Sequence, residues 1–272
     1  MDFDLSTYLT RVGLSAQPEA DLAGLRAVHR AQLEAIPFEN LDVLMGRGLE
    51  VDPQAVFAKL VVARRGGYCF ECNGLLCDAL VALGFHARLL LGRVVYGGRE
   101  GTPPLTHAVV LVELDQERYV VDAGFGGGTP RAPLALQDGA EAQEAGLAWR
   151  LVEDPEFSWR MLGSREGSWE DLYVFALPRV YPADMALGNH WTSTHPSSHF
   201  TKLPTLARHL PEGGRITLVG DRLTRRVGGA EEVVVLTDAG QVARAVREEL
   251  GIPFEASPVE LERLYRPLPP KV

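Results

Sequence analysis

Cys69, Cys72 and Cys77 lie within nine residues of the stretch RRGGYCFECNGLLCDAL (64–80), and the 272-residue chain has no other cysteine. Clustered sulfur serves three chemistries: a metal knot, a redox pair or a nucleophile. Cys69-x-x-Cys72 is half of a zinc ribbon, but no second Cys-x-x-Cys completes it. Cys77 lies eight residues on from Cys69, about two helical turns, which is no ordinary structural zinc spacing. A thioredoxin-like pair belongs in a βαβ context that this neighbourhood lacks. The nucleophile reading has a local reason in its favour. Gly66-Gly67 breaks the chain and Cys69 opens a helix, where unpaired N–H groups and the positive dipole end favour thiolate over thiol. The same N–H groups can donate to an oxyanion. Cys72 and Cys77, further down that helix, read as small packing residues.

A thiolate nucleophile needs a base, and the base needs a group to orient it. His29, His86 and His209 sit in amphipathic or turn contexts and read as surface or boundary residues. His190, His195 and His199 cluster in GNHWTSTHPSSHF, with no regularly spaced acid to make a metal site. His107 opens the apolar segment HAVVLVEL, and Asp122 lies in YVVDAGFG, where a carboxylate among apolar residues needs a partner. A hairpin turning about Gln116 and Glu117 sets His107 opposite Gly126 rather than Asp122. Contact between the two therefore requires a bulge or strong twist. On periodicity alone, the pair and a strand-end His with a separate structural Asp both remain open.

The elements that must position these residues change character along the chain. Residues 6–12, 19–36 and 52–62 show the three-and-four apolar spacing of helices, with Leu22, Leu25 and Val28 marking the second. Asp52-Pro53 resembles an N-cap followed by proline at the first helical position. A further helix spans about 69–83, with Gly84 as its stop. From residue 86 the pattern is strand-like: 87–97, 107–114, 118–126, 147–153 and 171–177. Residues 137–147 read as a polar loop, and Pro178 and Pro182 bracket a linker. Residues 214–237 read as a hairpin, followed by helices at about 241–250 and 259–264. Helices first, antiparallel strands next and a mixed tail give an α+β organisation.

With 46% hydrophobic residues the chain can bury a sizeable core, and its length suits two or three packed units. A net charge of −9 argues against a nucleic-acid or anionic-membrane partner. The N-terminus MDFDLSTYLTRVGL carries acids where a signal peptide is basic, and no run of about 18 apolar residues occurs. The odd cysteine count precludes a full disulfide framework. The expectation is a reduced, cytoplasmic, globular protein with no membrane partner.

RRGGYCFECNGL closely resembles the active-site motif of the arylamine N-acetyltransferases. IPFENLDV (36–43), THAVVLV, YVVDAGFG and NHWTSTHPSSHF resemble four further motifs of that family, in order, so the likeness runs from about residue 20 to 202. The resemblance implies a helical bundle carrying the nucleophile (1–85), an antiparallel β-barrel carrying His and Asp (86–185) and an α/β lid (186–272), with a Cys-proteinase-like core. It implies a triad of Cys69, His107 and Asp122. The implied reaction is ping-pong transfer of an acetyl group from acetyl-CoA, as co-substrate and with no metal, to an arylamine, arylhydrazine or N-hydroxyarylamine. By the same resemblance Phe38, Phe125 and Phe200 line the acceptor pocket, and Thr106, Gly126 and Gly127 approach coenzyme A. A related acyltransferase with another acyl-CoA donor or an amide-forming biosynthetic role, and a Cys hydrolase, are the alternatives. The chain departs from the pattern at Cys72, where a larger polar or ring-bearing side chain is expected. A second thiol one turn from the nucleophile suggests oxidation through a Cys69–Cys72 link.

Overall fold

The computed structural model describes residues 3–98, 101–165 and 167–268; the outermost positions of the expected first and third units, 1–2 and 269–272, lie outside them. Five helices come first: α1 (Leu5–Val12), α2 (Leu22–Ala35), α3 (Leu41–Met45), α4 (Pro53–Phe57) and α5 (Cys69–Ala82). Asp52 caps α4 through Gln54 N at 2.9 Å with Pro53 following, as the sequence predicts; Asp21 caps α2 through Gly24 N at 2.7 Å, so that helix starts at Leu22 and not at 19. The helix expected over 52–62 is α-helical only to Phe57. Ala58–Val62 winds as a π turn, and this wider turn closes with Ala63 N donating to Ala58 O at 2.8 Å.

Eight strands follow: β1 (His86–Val94), β2 (Leu105–Leu114), β3 (Glu117–Val121), β4 (Leu134–Ala135), β5 (Ala140–Glu144), β6 (Leu147–Asp154), β7 (Ser158–Arg165) and β8 (Ser168–Phe175). They form one antiparallel sheet in the order β4-β3-β2-β1-β8-β7-β6-β5, a nearly closed barrel. β2 is buried on both faces. Val110 and Val112 pack with the helical core around Leu25, Leu76 and Leu80, while Val109 and Leu111 pack inside the barrel with Trp149, Leu151 and Met161. That double burial is why HAVVLV is continuously apolar instead of alternating.

The last part comprises α6 (Pro182–Thr194), an antiparallel sheet of β9 (Thr205–His209), β10 (Arg215–Val219), β11 (Arg222–Val227) and β12 (Ala230–Val235), and then α7 (Ala239–Glu248) and α8 (Pro258–Leu264). Leu41, Leu44 and Met45 of α3 join its core. No described helix is long and apolar enough to cross a membrane.

Several expectations are corrected. The polar loop at 137–147 contains β5, an edge strand whose side chains are half-buried or exposed, so no apolar alternation marks it. The linker bracketed by Pro178 and Pro182 ends, as expected, at Pro182, but the helix α6 that begins there was not expected. Thr192, Thr194 and Gly188 are poor helix formers, but a Cβ at Gly188 would lie 2.9 Å from Phe70 Cζ and 2.8 Å from Leu105 O. Tertiary packing carries the second half of that helix, while Pro182 and Asp184 set its start. The hairpin at 214–237 is three strands of a four-stranded sheet.

Candidate active site

Cys69 is the first residue of α5, 3% exposed, with its Sγ 3.5 Å from Thr106 O. The helix start is fixed from behind. Glu71 Oε2 accepts from Tyr68 N at 3.0 Å, and Glu71 Oε1 accepts from Lys59 Nζ at 2.7 Å. Lys59 also reaches Asp42 at 2.8 Å, and Arg65 donates to Glu39 at 2.7 Å and to Asp42 at 3.0 Å. Burial pushes the Glu71 carboxyl up to about 7 against the pull of Lys59. The π turn belongs to this network, because it carries Lys59.

The β2–β3 hairpin turns at Asp115–Gln116, with Asp115 at φ +55° and Leu114 paired with Glu117. This is one residue earlier than the simple register expected, and the ladder ends at Val110–Val121. Asp122 therefore leaves the sheet and is free to meet His107. His107 Nε2 donates to Asp122 Oδ2 at 2.8 Å, and both residues are nearly fully buried. Asp122 Oδ1 accepts from Asn73 Nδ2 at 2.9 Å and from Gly124 N at 2.8 Å. Asn73 also donates to Ala108 O at 2.7 Å and accepts from Ala123 N at 2.8 Å. One amide, a single helical turn beyond Cys69, thus ties the helix to the two segments that carry the His and the Asp.

Burial alone would discharge His107, but Asp122, by charge and hydrogen bond, and Cys69, within hydrogen-bonding reach of the ring, push its pKa up to about 10. Burial also opposes the Asp122 charge, yet His107, Asn73 and Gly124 hold its pKa below the usual carboxylate value. These contacts favour the charged forms of both His107 and Asp122, beside Cys69 at a helix start.

His29 and His209 are buried, not at the surface. His29 Nε2 donates to Asp122 O and His209 Nε2 to Gly126 O, each at 2.8 Å. Burial lowers them to about 4 and about 3, so both are neutral donors that pin the carbonyls of the segment after β3. His86 is exposed, as expected. His190, His195 and His199 do not converge on a metal: His195 stacks on Trp191, and His199 Nε2 is 2.6 Å from Thr205 Oγ1. Among the described residues, no group of three or more His, Cys, Asp or Glu is placed to hold a metal ion.

The aromatic residues form two groups. Phe125 and Tyr173 flank the His107 ring, with centroids 5.2 and 4.6 Å away. Phe38 and Phe200 are 5.9 Å apart, and Tyr68 is 5.8 Å from Phe200. Phe38 is bridged to Gly67 on one side and to Ala207 on the other, and Asn40 donates to Phe200 O and Leu203 O. Gly126 sits at φ +79° against the Phe38 ring, and a Cβ at Gly127 would lie 2.9 Å from Thr217 Cγ2. Both glycines thus have structural reasons of their own. Asn73 was legible only as a polar residue one turn beyond Cys69 in an apolar helix; nothing in the sequence marks Tyr173, His29 or His209.

Cys72 faces the helical core, not the site. Its Sγ donates to Gly67 O at 3.2 Å, and burial pushes its thiol pKa well up. A Cys69–Cys72 link would have to break that packing. Peroxide is therefore expected to inactivate wild type and Cys72→Ser at the same rate, within about twofold. Marked protection by the serine would restore the linked-thiol expectation.

A helical unit and an antiparallel barrel meet at a Cys–His–Asp cluster, and a family profile described as N-acetyltransferase matches residues 21–259, which makes the chain an acyltransferase. The chain is 38% identical over 249 residues to the arylamine N-acetyltransferase of Escherichia coli (strain K12), covering 91% of this chain and 88% of that one. A Salmonella typhimurium protein of the same identity and coverage carries the name arylamine N-acetyltransferase / N-hydroxyarylamine O-acetyltransferase. Among solved structures, the Mycobacterium marinum arylamine N-acetyltransferase in complex with CoA superposes with a TM-score of 0.88 at 36% identity, covering 95% of this chain and 97% of that one. The chain belongs to the arylamine N-acetyltransferase family.

Proposed function

We propose that this protein transfers an acetyl group from acetyl-CoA to the nitrogen of arylamines or arylhydrazines, through a thioester on Cys69. The observation that carries this reading is the Cys69–His107–Asp122 cluster at the start of α5, in a chain of this family. The names of the relatives support the substrate class, and the Salmonella name supports O-acetylation of N-hydroxyarylamines as a further activity.

In this mechanism the Cys69 thiolate, paired with the His107 imidazolium, attacks the thioester carbonyl of acetyl-CoA. The oxyanion is held by N–H groups at the very start of α5, ahead of Glu71, whose own N–H donates to Tyr68 O. Collapse expels CoA thiolate, which takes the proton of His107 and leaves acetyl-Cys69 with neutral imidazole. The amine then adds to the thioester, His107 accepts its proton, and expulsion of Cys69 thiolate restores the ion pair. Asp122 fixes the ring orientation and favours its charge. Phe38, Phe125 and Phe200 offer the aromatic surface for the acceptor, and exclusion of water there lets the acetyl-enzyme outlast hydrolysis. Thr106, Gly126 and Gly127 are assigned to the coenzyme A approach. The three unpaired thiols suit a reducing compartment, and we place the enzyme in the cytoplasm.

The test is intact mass after incubation with acetyl-CoA and no acceptor, with peptide mapping. One acetyl group on Cys69, absent from Cys69→Ala and discharged by an added arylamine, is the expected result. Loading only by other acyl-CoA donors would replace acetyl-CoA as donor, and no loading by any donor would overturn the thioester mechanism.

A further inference from the structure

A cleft of about 620 Å³ opens where three helical segments end, and none of its lining residues belongs to the Cys69–His107–Asp122 cluster. Four arginines line it: Arg11 from α1, Arg64 after the π turn, Arg208 from β9 and Arg247 from the last turn of α7. No lining residue carries a carboxylate, in a chain whose net charge is −9.

Carbonyl groups satisfy only part of this charge. Arg11 is buried, donating to Leu60 O at 2.9 Å and to Ala35 O at 2.8 Å. Arg208 donates to Glu249 O at 3.2 Å, at the end of α7. These helix C-termini explain why cations gather here. Arg64 and Arg247 are exposed, and among the described residues neither forms an ion pair; Arg247 lies over the Phe254 ring at 5.2 Å. The neighbouring acid, Glu249, is turned away and held by both arms of Arg225 at 2.6 and 3.0 Å. Burial, and after it the charge of Arg64, lowers the Arg11 pKa to about 10. Between the arginines the wall is apolar, from Ala35, Pro37, Leu250 and Ile252.

We infer that this cleft is a binding site for a phosphate-type oxyanion, a diphosphate or a phosphate ester, gripped by Arg64, Arg208 and Arg247 in front of Arg11. Planar guanidinium groups take phosphate oxygens in pairs, and the apolar wall accommodates the body of an ester. The residues come from the N-terminal helices and from the C-terminal sheet and helix, so a bound anion cross-links the two and stabilises the native state.

The test is a calorimetric titration of inorganic pyrophosphate into the full-length protein at constant ionic strength, with chloride as control, alongside thermal melts. The expected result is one site, a raised Tm, and affinity at least about tenfold lower in Arg64→Gln/Arg247→Gln, given that each lost guanidinium removes charge-assisted hydrogen bonds. Cys69 acetylation by Arg247→Gln alone should match wild type. If the double variant folds poorly, Arg247→Gln alone, at an exposed helical position, should still weaken binding several-fold. Equal affinity in wild type and variants, or heats no larger than those of chloride, would overturn the site. Saturating CoA should leave pyrophosphate affinity unchanged; displacement by CoA would mean that the anion occupies the acetyl donor's own phosphate site, and a separate one would not exist.

Discussion

Asp122→Asn is expected to slow acetylation of Cys69 by about 10³- to 10⁴-fold with little loss of folded protein, the scale seen when a triad carboxylate is neutralised. The amide oxygen can still accept from Asn73 and Gly124 at the Oδ1 position, so the segment after β3 keeps its anchors. At the Oδ2 position an NH2 group would face His107 Nε2 and require it to accept. The ring proton would then move to the other nitrogen, on the Cys69 side, where the mechanism needs a group able to take a proton. The charge that holds His107 protonated would vanish as well. Rapid-quench measurement of acetyl-enzyme formation tests this, and a loss smaller than tenfold would remove Asp122 from the mechanism. The same pair shapes stability against pH. His107 is raised from 6.5 to about 10, so its contribution is complete below pH 6.5 and is lost as pH rises toward 10. Asp122 is lowered, so its contribution is present above its ordinary value of 3.8 and is lost as pH falls through the lower folded pKa. The gap in Tm between wild type and Asp122→Asn should therefore be widest between about pH 4 and 6.5 and narrow on the alkaline side.

Gly124→Ala is expected to cost roughly 3 kcal/mol of stability, the upper end of ordinary overpacking, and to reduce Cys69 loading by about 10²-fold through misplacement of the nucleophile. Gly124 stands where the segment after β3 crosses the start of α5. A Cβ there would lie 2.7 Å from Cys69 Cα, 2.9 Å from Asn73 Nδ2 and 3.3 Å from Cys69 O. The nearest obstacle is backbone, so no side-chain rotation relieves it. Relief must move either Cys69 or the Asp122–Gly124 turn, and both hold reacting groups. Denaturant midpoints and acetyl loading should fall together. A variant with wild-type stability and loading would show that the two segments approach less closely than described.

Cys69 at a helix start, the N-cap at Asp52 and the apolar run of HAVVLV follow from local rules. Breaks at glycine, capping side chains and apolar runs act over a few residues, so the chain itself displays them. The five ordered motifs likewise carry the family, because they are short and contiguous. Other features had no such local signal. β5 is an edge strand of small and polar residues, and the second half of α6 holds its helical form where Gly188 lets it press on Phe70 and Leu105. The meeting of His107 with Asp122 depended on a turn at Asp115–Gln116 and on β3 ending at Val121. Periodicity counts residues along a strand, but it does not say where pairing stops.

The sequence by itself determined that Cys69 opens a helix after Gly66-Gly67, the α+β order of elements and the family, since each is written in neighbouring residues. Only the tertiary structure decided the working site and its surroundings. It placed Asn73 between the helix and both β segments, buried His29 and His209 as neutral pins, turned Cys72 into the core, and gathered four arginines into one cleft. The physical reason is that these contacts join residues far apart in the chain, and their geometry is set by packing around a shared core, not by local preference.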